Sequence, residues 1–219
     1  MKVLMFKVGI NGLEDKIWRV IEVIDKMTIG DLAYSILASF NSLAYHLYSI
    51  TYKDRKYKCY IDHDLMFEDE IVLDARQSIL RDIELNDNDT MEMEYDFGST
   101  TTFKIKYLGS RELEENDKTY YPSIIDGAGN GMLDDVSDFD LEDIVIDTDK
   151  LDYSKYPYSM GYETNKMHDY REFDLKKNNI MVKKVYPLIK KIWKYRIVLI
   201  KAVLKVPNAK LPFDVNWFF

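Results

Sequence analysis

The sequence predicts an α+β fold: a β-grasp-like, mostly antiparallel sheet packed on one main helix, with a C-terminal helical extension. Three observations carry this expectation. Short runs of alternating apolar and polar residues recur before residue 110, one capped 3.6-residue pattern sits among them, and a long basic amphipathic pattern begins near residue 174. The 219 residues accordingly divide into a core over 1–110, an acidic, tyrosine-rich loop region over 111–172 packed on it, and a basic helical extension with an apolar tail over 173–219.

Each element has a local reason. KVLMFKVGI (2–10) places Leu4, Phe6, Val8 and Ile10 on one strand face, Asn11-Gly12 signals a tight turn, and KIWRVIEV (16–23) supplies the returning strand. Thr28 is an N-cap candidate with Asp31 in the reciprocal position, and Ile29, Leu32, Ala33, Ile36, Leu37 and Phe40 follow helical spacing. HLYSITY (46–52) and KYKCYI (56–61) flank the polar turn Lys53-Asp54-Arg55 and read as a hairpin. A short helical piece is expected over 76–83, with Leu80 and Ile83 inward. Met91, Met93, Tyr95 and Phe97 then alternate with Glu92, Glu94 and Asp96, and the alternation resumes at Phe103, Ile105 and Tyr107 beyond a glycine-bearing turn. Residues 110–172 read as loop with one short helix near 139–146. From 174 to 206, Val182, Val185, Ile189, Ile192, Trp193, Ile197, Ile200 and Leu204 form an apolar stripe, and Pro187 is expected to kink the helix or start a second one.

Composition narrows the function classes. With 47% hydrophobic residues, 17 tyrosines and few glycines and prolines, the chain suits a packed core rather than disorder. A lone cysteine, Cys59, excludes an intramolecular disulfide and fits a reducing cytoplasm; no signal peptide is read at the N-terminus. The best apolar window, 192–206, carries Lys194, Arg196, Lys201 and Lys205, so no membrane span is expected. The net charge of −8 conceals two opposed blocks. Glu112 to Asp152 holds fourteen acidic residues against Lys118 and Lys150, whereas Leu175 to Lys210 holds eleven basic residues and no acid. Such blocks either pair within the fold or engage a partner.

Motifs for catalysis are sparse. Asp96-Phe97-Gly98 lacks the glycine-rich loop, strand lysine and His-Arg-Asp loop of a kinase, so Asp96 is read on the polar face of a strand end and Gly98 as a turn glycine. Gly127-Ala128-Gly129-Asn130-Gly131 lacks dinucleotide-fingerprint spacing and reads as a loop; no cofactor is expected. Asp134, Asp135, Asp138, Asp140, Glu142 and Asp143 lack the alternation of a calcium loop and fit a helix N-terminus. His46, His63 and His168 are scattered without zinc spacing. Cys59 reads as a buried strand thiol.

Taken in order, IWRVIEV (17–23), TIGDLAYSILASF (28–40), HLYSI (46–50), YDFG (95–98), YPSIIDGAGNG…DDV (121–136) and YREFDLKK (170–177) resemble the plasmid pRiA4b ORF-3-like family over about 1–180. The chain departs from the family pattern at Ser99, Thr100 and Thr101, where an Asp and then a Trp are usual, and at Met132-Leu133-Asp134-Asp135, which lacks the usual Cys and Pro. The resemblance implies a β-grasp-like domain of bacterial mobile elements or phages with no established catalytic activity.

The leading functional expectation is a non-enzymatic, cytoplasmic interaction protein that engages a protein or nucleoprotein partner, in one version as an anti-CRISPR-like inhibitor of host defence. Its acidic candidates are Glu112, Glu114, Glu115, Asp134, Asp135, Asp138 and Asp140, placed where phosphates would sit. A second expectation is nucleic-acid binding through Lys183, Lys190, Lys191, Lys194, Arg196 and Lys201. A third is metal-dependent nuclease chemistry with Asp134, Asp135, Asp138 or His168 around a divalent ion.

Overall fold

The computed structural model describes residues 1–42, 44–60, 71–134, 136–146 and 171–204, with the backbone alone for 143–146 and 196–204. It is a mixed α+β fold built on an eight-stranded sheet. The strands are β1 (Lys2–Ile10), β2 (Trp18–Ile24), β3 (Tyr48–Tyr52), β4 (Arg55–Lys58), β5 (Ile71–Asp74), β6 (Thr90–Tyr95), β7 (Thr101–Glu112) and β8 (Ser123–Ala128). The helices are α1 (Ile29–Ser39), α2 (Asp138–Ile146) and α3 (Leu175–Leu204). The sheet order is β5-β4-β3-β6-β7-β1-β2-β8; β4 and β5 run parallel and every other neighbouring pair is antiparallel.

One face of the sheet is apolar. Phe6 and Val8 of β1, Met91 and Met93 of β6, and Phe103 and Ile105 of β7 are buried. Register places Met93 opposite Phe103 and Met91 opposite Ile105, so the pleat delivers both strands' apolar sets to the same side. On the opposite face Glu92 pairs with Lys104. Against the apolar face lies α1, started by the expected capping box: Thr28 Oγ1 accepts from Asp31 N at 3.0 Å, and Asp31 Oδ2 accepts from Thr28 N at 3.1 Å.

Several expectations shift. The piece over 76–83 narrows to a 3-10 turn, Leu80–Asp82, with Leu80 inward. Phe97 leaves the alternation and is exposed, because Asp96 adopts φ 57° and turns the chain away from the sheet. The loop region contributes β8, paired along β2. α3 continues through Pro187 as one thirty-residue helix. Val182, Val185, Tyr186, Ile189 and Trp193 of α3 are buried, and the helix packs on α1 and β8. Packing on both sides of Pro187 outweighs the missing backbone hydrogen bond.

Candidate functional site

Two regions concentrate polar chemistry: the loops beyond the C-terminus of α1, and the outer face of α3. In the first, Tyr95 at the end of β6 donates to Asp134 Oδ1 at 3.0 Å, and Ser42 Oγ donates to the same oxygen at 2.7 Å. Ala44 N donates to Ser42 Oγ. Burial and the Asp134 charge push the Tyr95 hydroxyl well above its ordinary range, so it stays a donor. Asp96 accepts from Gly98 N at 3.1 Å and faces His46 Nδ1 at 3.4 Å. Its Oδ2 is buried with no hydrogen-bond partner among the described residues. Asp96 is thus a buried turn residue, not a member of the polar strand face.

Backbone strain gathers in the same place. Asn41, Ala44, Asp96 and Thr100 all have φ between 54° and 63°, which side chains other than glycine rarely adopt. Gly131 closes the cluster at φ 145°: a Cβ there would lie 2.5 Å from Phe40 O. Behind these loops the Arg19 guanidinium, fully buried, donates to the carbonyls of Ser39, Trp18, Ala128 and Asn130. It is sandwiched between the rings of Phe40 and Phe173 at 4.9 and 4.6 Å. Arg19 therefore ties β2 to the end of α1 and to the glycine-rich segment. The inward alternation of Ile17, Ile21 and Val23 was the signal that would have placed it.

The acidic candidates do not share one surface. Glu112, Glu114 and Glu115 are exposed at the far end of β7, with Glu112 3.5 Å from the N-terminal ammonium. Asp138 lies at the near end, where its Oδ2 accepts from Thr102 N and Asn11 Nδ2, each at 3.3 Å. Ten residues of extended strand hold the two groups roughly 30 Å apart. Asp134 and Asp138 are buried, while Asp140 is exposed in the first turn of α2, where Ser137 caps the helix. Asp135 and His168 lie outside the described residues, as does His63. Among the described residues no three His, Cys, Asp or Glu side chains are grouped to hold a metal ion. Cys59 is buried, with its Sγ accepting from Tyr48 N.

The basic candidates are brought together. Lys183, Lys190, Lys191 and Lys194 are all exposed on α3, with Lys176, Lys177 and Lys184 on the same helix. Arg196 and Lys201 fall in the helix backbone, but their side chains are outside the described residues. Lysine pairs recur at 176–177, 183–184 and 190–191, a repeat of seven residues that at 1.5 Å per residue advances about 10.5 Å. Lys190 reaches Asp31 at 2.7 Å, and Lys183 lies 6.0 Å from the Tyr120 ring. Among the described residues Lys176, Lys177, Lys184, Lys191 and Lys194 have no ion-pair partner. Within the described structure, then, the acidic block leaves these five lysines uncompensated.

The docking of α3 was invisible in sequence. Asp31 Oδ1 accepts from Tyr186 OH at 3.0 Å as well as from Lys190, so the capping residue of α1 also holds α3. Trp193 Nε1 donates to Ala44 O at 2.9 Å, and its ring packs on Tyr34 and Tyr48. Near the start of the helix, Asn179 Oδ1 accepts from Ile124 N at 2.9 Å and Asn179 Nδ2 donates to Ile124 O at 2.7 Å. Asp31 and Tyr186 are 155 residues apart, too far for any local pattern to pair them.

No helix is long and apolar enough to cross a membrane, among the described residues. No curated protein matches the chain. Among solved structures it is similar to a protein of unknown function, MM3350, from Methanosarcina mazei Go1, at 22% identity and a TM-score of 0.64. That match covers 80% of this chain and 95% of the other, and it establishes a shared fold. The family model for plasmid pRiA4b ORF-3-like proteins matches residues 2–180, spanning the sheet, α1, α2 and the start of α3, and the chain belongs to that family.

Proposed function

We propose that this protein is a non-enzymatic interaction protein of a mobile element or phage that engages a nucleoprotein partner by laying the outer face of α3 along nucleic-acid phosphates. A β-grasp-like core carries the helix. The observation that supports this reading is the set of five exposed lysines without ion pairs among the described residues, on a helix whose other face is anchored. Fixed like charges on one face repel each other, and a phosphate backbone relieves that repulsion while releasing counterions. The 10.5 Å repeat corresponds to about three nucleotide steps of 3.4 Å. The lysines present no planar fork for reading base edges, so the contact is to the backbone and independent of sequence.

Fluorescence anisotropy with labelled oligonucleotides at several salt concentrations tests the reading. Five phosphate contacts predict a slope of log affinity against log salt of about −4.5 on duplex, and Lys184→Glu with Lys191→Glu reduces its magnitude by about 2. Binding that ignores salt, or no binding, defeats the proposal. A second reading, the inhibitor of host defence, is favoured by the exposure of Glu112, Glu114 and Glu115 at the opposite end of β7. Charge reversal of those three then abolishes capture of a basic defence complex, and unchanged capture removes the reading.

A further inference from the structure

Beyond its lysines, the outer face of α3 carries Leu188, Ile192 and Tyr195, each more than half exposed. On a helical wheel at 100° per residue they adjoin Lys184 and Lys191, forming an apolar shoulder beside the basic row. A second patch of opposite sign begins α2. There Phe139 is 74% exposed, Asp140 is exposed and Glu142 is half-buried. Neither Asp140 nor Glu142 forms an ion pair among the described residues. The turn that carries exposed Phe97 is tied to this patch, since Asp138 N donates to Thr100 O at 3.3 Å.

We infer that the two patches recognise each other between molecules: the Phe97–Phe139–Asp140–Glu142 surface of one copy docks on the Leu188–Ile192–Tyr195 shoulder and adjoining lysines of a second copy. Charge complementarity selects this occupant. Pairing α3 with α3 would set lysine against lysine, and pairing the acidic patch with itself would set carboxylate against carboxylate. Of the pairings between these two patches, the acidic-to-basic one satisfies both while burying the exposed apolar side chains of each. The chain carries both halves of the match, and among the described residues these lysines and carboxylates form no ion pair within one molecule. The interface is small beside those of permanent dimers, which makes the association weak, concentration-dependent and salt-sensitive. The inference uses the same helix face as the proposed function but does not require that nucleic acid be its ligand. Where both hold, the neighbour's carboxylates occupy the places phosphates take, and each displaces the other.

Sedimentation velocity of the nuclease-treated full chain tests this. Wild type is expected to shift towards larger species as concentration rises at low salt, and to return to monomer at high salt. Asp140→Lys with Glu142→Lys, and separately Lys184→Glu with Lys191→Glu, each remain monomeric. An equimolar mixture of the two variants associates again, because one supplies an intact acidic patch and the other an intact α3. Phe139→Ala, which leaves the helix cap in place, weakens association independently of charge. Monomer at every concentration and salt, self-association undiminished in either charge variant, or a mixture that stays monomeric overturns the inference. The acidic-patch variant separates the two proposals: if it is monomeric yet binds oligonucleotide with the wild-type salt slope, both stand. If the wild type associates but binds no oligonucleotide, only the proposed function falls.

Discussion

Asn179 uses both ends of its amide on a single residue of another element, accepting from the backbone N–H of Ile124 and donating to its carbonyl. Ile124 is buried, so truncation to Asn179→Ala leaves two main-chain groups without partners in a site that water enters with difficulty. We expect a loss of about 2 kcal/mol in urea-induced unfolding. Asn179→Asp, which keeps the acceptor and loses the donor, should fall between. Asp31 works in the same economical way on α1. One carboxylate oxygen completes the helix cap, and the other receives the Tyr186 hydroxyl and the Lys190 ammonium. Asp31→Asn retains an acceptor for the cap but removes the charge that Lys190 answers. The expected outcome is a loss of about 1–3 kcal/mol, with faster hydrogen exchange in α3 around Tyr186 but not in β6 or β7.

At the scale of elements, α3 has two sides: the face turned to α1 and β8 holds it in place, and the outer face is exposed. Much of this was legible beforehand. The buried stripe of Val182, Val185, Ile189 and Trp193 and the lysines opposite it follow from helical periodicity, although Ile192, read into that stripe, lies exposed on the outer side. The Thr28–Asp31 cap was readable because its partners are three residues apart. The β6–β7 pair was equally plain, since both strands alternate and one turn joins them. β8 escaped notice because SIIDGA has no alternation, and as an edge strand it buries Ile124 while exposing Ile125. The loop cluster escaped for another reason. Tyr95 and Asp134 are 39 residues apart and Ser42 and Asp134 are 92 apart, so only the fold brings them together. At Pro187 the sequence left a kink or a second helix open, and the continuous helix removes the second, through packing that local propensity does not report.

The whole molecule is rich in tyrosines whose hydroxyls must stay protonated to remain buried. Burial pushes Tyr34 from 10.0 up to about 12 and also raises Tyr48, Tyr95 and Tyr186 well above the ordinary value, with the Asp31 charge adding to the effect at Tyr186. A group whose folded pKa is raised contributes stability that is complete below its unfolded pKa and is lost as pH climbs towards the folded value. Denaturation midpoints should therefore hold steady up to about pH 9 and fall between about pH 10 and 12, with these tyrosines ionising only as the fold opens. An alkaline titration in which all 17 tyrosines ionise together near their ordinary value, without loss of structure, would contradict this. The Asn179 amide has a further meaning for the molecule as a whole. It occupies the outward N–H and C=O of Ile124 on a strand that ends the sheet, the position at which a strand from another chain would otherwise begin to add. The helix proposed to meet a partner is therefore also the guard against runaway strand pairing. A partner that pried α3 from β8 would bare that edge, so productive binding has to leave the inner face of the helix where it lies.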